Sequence, residues 1–229
     1  MNKRVKYILI GVGIIILIIL IVPYFSINNS KSDKEDPMDK YYWDNREKVN
    51  LEMGKYVESK DYVLEDGNIL VEVTNNNDYG ANAKIYIEFF DENNESITMM
   101  DEYISHIGSA KKSYEVINVG EELRNLYKTY KIKVVLSYDS IHKSYYDDIK
   151  FISLDEKKGI LKFKNNSNKK IDSIEWGILF YNEDNEIVGY ETEYISNVKA
   201  NKTVSESIYL PNITHSKIDV VLVQAYSYD

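Results

Sequence analysis

The stretch "FFDENNE" at residues 89–95 is written almost again as "FYNEDNE" at residues 180–186. Each copy is a short polar run of Asp, Asn and Glu behind an alternating apolar segment. Asp and Asn accept left-handed backbone geometry and bond their own backbone, so both copies predict the turn of a β-hairpin. An acidic loop of this kind is also a calcium candidate, but it lacks the D-x-[DN]-x-[DN]-G spacing that wraps the ion.

Working outward, period two continues on both sides. "AKIYIEFF" at 83–90 places Ala83, Ile85, Ile87 and Phe89 on one face, and "IEWGILFY" at 174–181 does so with Ile174, Trp176, Ile178 and Phe180. "ILVEV" at 69–73 alternates as well, so all three predict half-buried strands. "EYIS" occurs at 102–105 and at 193–196, in register with the turns, and "SYD" at 137–139 returns at 227–229. "VEVTNNN" at 71–77 matches "LKFKNNS" at 161–167 one residue out of that register, a slip assigned to the intervening loop. A period near 90 residues exceeds a solenoid repeat and suits a sandwich domain. The expected fold is all-β: two tandem immunoglobulin-like β-sandwiches at 56–139 and 140–229, joined through a polar segment at 139–150.

The N-terminus has a different pattern. Residues 7–25 read YILIGVGIIILIILIVPYF without a charge. As a helix they span about 28 Å, the thickness of bilayer hydrocarbon. Lys3, Arg4 and Lys6 precede them, which predicts a cytoplasmic segment at 1–6 and the rest of the chain outside. The apolar core is too long for a cleaved signal peptide, and no small-residue cleavage site follows. Residues 26–55 read as a polar stalk, with Asp36 and Pro37 placed to cap and open a short helix. The expected localisation is a single-pass cell membrane protein that contacts the lipid bilayer through this one helix.

Composition narrows the function. The chain has 229 residues and no cysteine, which excludes disulfides, thiolate metal sites and cysteine nucleophiles. The formal net charge is -9, and nucleic acid is not an expected partner for so acidic a surface. Abundant Asn, Lys, Ile and Tyr point to an AT-rich bacterial genome.

"IEFFD" at 87–91 and "ILFYN" at 178–182 resemble the F-x-L-Y-D signature of the FxLYD domain family, and Asn75 and Asn165 are similar to its strand-end Asn. Ile87 and Ile178 stand in place of the leading Phe, and Asn182 in place of the Asp. The resemblance implies immunoglobulin-like bacterial modules outside the membrane, with no enzyme activity and no fixed ligand.

No motif carries chemistry. His106, His142 and His215 lack partners at metal-ligand spacing and read as surface residues. S-x-x-K begins at Ser109, Ser140 and Ser167 without the companion motifs of acyl transfer. No catalytic residue, metal ligand or cofactor is assigned, and no binding residue can be named. Tyr41, Tyr42, Trp43, Tyr145 and Tyr146 are either exposed aromatic platforms or ordinary packing residues. The expected function is a non-catalytic binding module of a bacterial cell envelope, with an envelope protein or polysaccharide as partner. A structural spacer or accessory subunit of a membrane complex is the alternative, and a carboxylate-based hydrolase stands behind both.

Overall fold

The computed structural model describes residues 37–139 and 142–228. The expected anchor at 7–25 and the Asp36 cap lie outside them. Among the described residues no helix is long and apolar enough to cross a membrane.

The chain is all-β, built from several antiparallel sheets with few helices. Helix α1 (Pro37–Met53), kinked at Asn45, leads through a 3-10 turn into β1 (Val57–Val63). Then follow β2 (Ile69–Asn75), β3 (Ala81–Phe90), β4 (Ser96–Ile107), β5 (Lys111–Ile117), α2 (Glu121–Leu126) and β6 (Thr129–Tyr138). The second half holds β7 (His142–Ser144), β8 (Ile149–Asp155), β9 (Ile160–Asn165), β10 (Ile171–Tyr181), β11 (Ile187–Val198), β12 (Thr203–Ser207) and β13 (Lys217–Tyr228). The strand orders are β1-β2-β5 and β4-β3-β6, then β8-β9-β12 and β11-β10-β13-β7. Apart from β7, the second pair of sheets repeats the order of the first.

Each pair of sheets encloses a core. In the first, Ile69, Val71, Val73 and Ile117 meet Ala83, Ile85, Ile87, Phe89 and Leu136. In the second, Leu161 and Phe163 meet Ile174, Trp176, Ile178, Phe180 and Leu222. These are the faces that period two marks. Tyr42, Val49 and Met53 of α1 also enter the first core. The segment read as stalk is therefore packed from α1 onward.

Three features depart from the sequence reading. First, β2 is buried on both faces, not one. Leu70 and Tyr114 pack against Leu179, Ile187 and Val223 in a third apolar cluster, so the β1-β2-β5 sheet lies against the β10-β13 sheet. A backbone bond from Glu65 N to Val188 O (3.0 Å) joins the halves. Second, the segment 139–150 is not a free joint. β7 pairs with the end of β13 at Tyr226↔Ser144, and Tyr145 is buried in the second core. Third, the one-residue slip falls inside a strand. Ala81 and Ala83 pair with Ile107 and Ile104 across a bulge in β4, whereas Ile171 and Ile174 pair with Val198 and Ile195 without one. Between those anchors the first copy has Asn82 alone and the second has Asp172 and Ser173.

The quoted turns have matching geometry. Asp91 Oδ1 accepts from the amides of Asn93 (2.9 Å) and Glu95 (2.8 Å), and Asn182 Oδ1 accepts from Asp184 (3.0 Å) and Glu186 (2.9 Å). The Asp-to-Asn change keeps the oxygen that the turn uses. Asn94 and Asn185 supply the left-handed residue, at φ 61° and 60°. Two other positive-φ pairs fall in the same register, His106 with Asn197 and Ala110 with Asn201, and Gly67 and Gly159 both lie in the turns that lead into β2 and β9. The duplicated signal is thus a set of backbone requirements as well as a set of letters.

Candidate functional site

A cleft of about 190 Å³ opens where the two halves meet, lined by Tyr114, Glu115, Val116 and Asn118 on one side and Glu175, Tyr190, Glu191, Thr192 and Tyr194 on the other. Strand alternation explains how these residues arrive there. In β5, Glu115 is opposite Val71 and faces the rim of the first core, while Tyr114 and Val116 face the second half. In β10, Ile174 and Trp176 point into the second core, so Glu175 and Gly177 point out of it. Glu175 pairs with Tyr194, Gly177 with Thr192 and Leu179 with Tyr190, which puts Tyr190, Thr192 and Tyr194 on the same outer face. Gly177 makes room there: a Cβ would lie 2.8 Å from the Tyr190 ring and 2.9 Å from its hydroxyl. The Tyr190 ring also packs on Tyr114, with centroids 5.8 Å apart.

The electrostatics are one-sided. Glu175 is only 4% exposed. Burial raises its carboxyl above the usual range, opposed by hydrogen bonds from Tyr194 and from Gln224 Nε2. Glu115 is pushed up to about 7, first by burial and then by the carboxylate of Glu102, with Glu175 adding to it. Burial and Glu175 hold the Tyr190 phenol well above its ordinary value. Among the described residues, no lysine or arginine lines the cleft. The Tyr190 hydroxyl and Gln224 Oε1 are buried without a hydrogen-bond partner. Among the described residues, no group of three or more His, Asp or Glu is placed to hold a metal ion.

The residues singled out in sequence are placed elsewhere. His106 is not a surface residue. Its side chain is 12% exposed, its Nδ1 lies 2.8 Å from Asp139 Oδ2, and its ring stacks on Tyr226 with centroids 4.1 Å apart. His215 contacts the Ile213 carbonyl through Nδ1 and packs edge-on against Phe180. Ser109 and Ser167 donate their hydroxyls to the Asn77 and Lys169 carbonyls, as loop residues do; Ser140 lies outside the described residues. Tyr42 and Tyr145 are buried, and the Tyr146 hydroxyl donates to Leu222 O at 2.7 Å. Tyr41 remains exposed. Sequence reasoning missed the cleft because Glu115 and Glu175 lie far apart in the chain and meet only through the stacking of two sheets. The available signal was Leu70, Leu179 and Val223, apolar residues on faces that alternation assigns to water.

Asn75 and Asn165 are fully buried and hold equivalent networks. Asn75 Nδ2 donates to the carbonyls of Tyr79, Ile107 and Gly108, and Asn165 Nδ2 to those of Lys169, Val198 and Lys199. Their Oδ1 atoms accept from the amides of Asn77 and Ser167.

No family model and no curated protein matches the chain. Among solved structures it is similar to a transglutaminase of red sea bream, at 11% identity and a TM-score of 0.27, over 86% of this chain and 36% of that one. The chain thus spans about a third of that protein's length, and a likeness at this level carries no argument about activity.

Proposed function

We propose that the chain is a membrane-anchored extracytoplasmic protein whose two tandem immunoglobulin-like domains, at 56–139 and 140–229, act as a non-catalytic binding module of a bacterial cell envelope. In this reading it belongs to the FxLYD family. Residues 7–25 anchor it in the bilayer, residues 1–6 face the cytoplasm, and the stalk shortens to 26–36. The observation that carries the reading is the pair of buried strand-end asparagines, Asn75 and Asn165, with the same bonds in the same strand order. Those residues serve the fold in both copies, whereas most cleft residues change between copies, Tyr194 (Tyr103 in the first) and Glu115 (Glu206 in the second) excepted, as expected where one scaffold is used twice and binding is added at the junction.

The test is protease added to intact cells or protoplasts. Loss of residues 56–229 with the anchor left in the membrane supports the reading, and full protection of them rejects the orientation. Hydrolysis of an envelope polymer by the chain, abolished by a single carboxylate substitution, would reject the non-catalytic assignment.

A further inference from the structure

We propose that the cleft between the two halves is a receptor for one arginine side chain, presented by an extended basic segment of a partner protein. This deepens the reading of the chain as a binding module and rests on it.

The cleft selects charge. Glu115 and Glu175 line it, the Glu102 carboxylate acts on Glu115, and no basic side chain lines it among the described residues. A buried carboxylate without a counter-charge is costly to keep ionised, and an arriving cation relieves that cost. The cleft also selects shape. Among the described residues no group of three or more His, Asp or Glu is placed to hold a metal ion, so the cleft lacks the donor set of a bare cation site. A guanidinium spreads its charge over a planar fork of five N–H donors and stacks on aromatic faces. The Tyr114 and Tyr190 rings border the cleft.

Unused hydrogen-bonding atoms mark the same place. The Tyr190 hydroxyl is enclosed and without a partner among the described residues, and the residue that carries it lines the cleft. Gln224, 7% exposed, stands behind the lining: it gives Nε2 to Glu175, which lines the cleft, and its Oε1 has no partner among the described residues. Buried polar atoms are rarely left unbonded, so an unbonded pair beside an uncompensated carboxylate points to a donor that arrives from outside.

Size and surroundings identify the donor's carrier. About 190 Å³ is below the ~300–1,000 Å³ typical of small-molecule sites, so the cleft takes a side chain and leaves the rest of the ligand outside. The two walls, β5 and β11, are each the last strand of their sheet. A sheet edge offers free backbone groups to an added extended strand, which would deliver its side chain sideways into the cleft. The chain's formal net charge of -9 favours a basic partner segment.

The test is calorimetric titration of the full chain with a short blocked peptide carrying one arginine between alternating polar and apolar residues. Matched peptides carry citrulline, which removes the charge and keeps the shape, or lysine. Calcium chloride is titrated alone. The arginine peptide should bind at least tenfold more tightly than the citrulline peptide and more tightly than the lysine peptide. Glu115→Gln should weaken arginine binding about tenfold or more. Tyr190→Phe, which removes only an unbonded hydroxyl, should weaken it several-fold and leave the unfolding midpoint unchanged. Equal binding of the arginine and citrulline peptides, no binding of either, or displacement of the arginine peptide by stoichiometric calcium overturns the proposal. So does an unchanged affinity in both variants. None of these outcomes bears on the membrane orientation, which the protease experiment decides separately.

Discussion

Replacing Asn165 with alanine or with aspartate separates the hydrogen-bond role of this residue from its size. Its two amide hydrogens serve three carbonyls, of Lys169 (3.0 Å), Val198 (3.3 Å) and Lys199 (3.2 Å), and its oxygen accepts from Ser167 N (2.8 Å). The residue is wholly buried. Alanine removes all of this and leaves enclosed backbone groups unbonded, at about 1–3 kcal/mol each, so Asn165→Ala should cost about 3–5 kcal/mol. Aspartate keeps the accepting oxygen but sets a second oxygen against three carbonyl oxygens and buries a charge. At pH 7 it should be worse than alanine. The sign then turns with pH. The folded pKa of this aspartate must lie above its unfolded value of about 3.9, because only the protonated carboxyl can donate to a carbonyl. The variant therefore keeps most of its stability below about pH 4 and loses it as pH rises toward the folded pKa. Urea unfolding followed by far-UV dichroism and by fluorescence of the buried Trp176 reads this directly. An Asn165→Asp variant as stable as the parent at pH 7, or one whose deficit does not shrink on acidification, would refute the network.

Three further outcomes follow from the geometry. Glu115 holds its proton up to about pH 7 in the folded chain, against a usual 4.5, so its contribution is present below about 4.5 and is lost as pH climbs to about 7. The full shift corresponds to about 3.4 kcal/mol, of which a partly solvated side chain retains about 1–2 kcal/mol. Glu115→Gln should stabilise the ligand-free protein by that amount at pH 8 and flatten the stability profile between about pH 4.5 and 7, and a profile that stays as steep rejects the assignment. Ala110 sits at φ 53° where the second copy has Asn201 at φ 56°, so Ala110→Asn should raise stability by about 0.5–1 kcal/mol in the same assay, and a loss would show that the conformation is not strained. Phe180→Ala, at a wholly buried position in the second core, should cost about 3–5 kcal/mol, and a loss under about 1 kcal/mol would contradict its packing.

The parts legible in sequence were those set by near neighbours along the chain. The turns at 91–95 and 182–186 are encoded by the oxygen of Asp91 or Asn182 and the left-handed Asn three residues later. Inward faces such as Ile174, Trp176, Ile178 and Phe180 follow from alternation alone. Helix α1 was visible in outline because Tyr42, Val49 and Met53 share one side of a helix, but its burial was not, since the surface it covers is formed by strands far along the chain. The third cluster was hidden for a related reason. Alternation says which residues share a face and not whether that face meets water or another sheet, so Leu70 and Leu179 marked an apolar outer face without identifying what covers it. The His106–Asp139 pair was unreadable because it joins two strand ends far apart in the chain, and the stacked Tyr226 because it reaches them from the other half.

The stacking of the β1-β2-β5 sheet on the β10-β13 sheet also sets which substitutions the molecule tolerates. Two sandwiches joined end to end would show two intolerant bands in a saturation library, one for each interior. Here a third band should lie between them, of mixed character. Leu70, Leu179 and Val223 should accept only apolar residues of similar volume, while Glu72, Glu175 and Gln224, buried in the same layer, should reject apolar replacements as firmly as their neighbours reject polar ones. The faces left free to vary are the outward ones of the β4-β3-β6 and β12-β9-β8 sheets, so sequence drift should concentrate at the two ends of the stack and spare its middle.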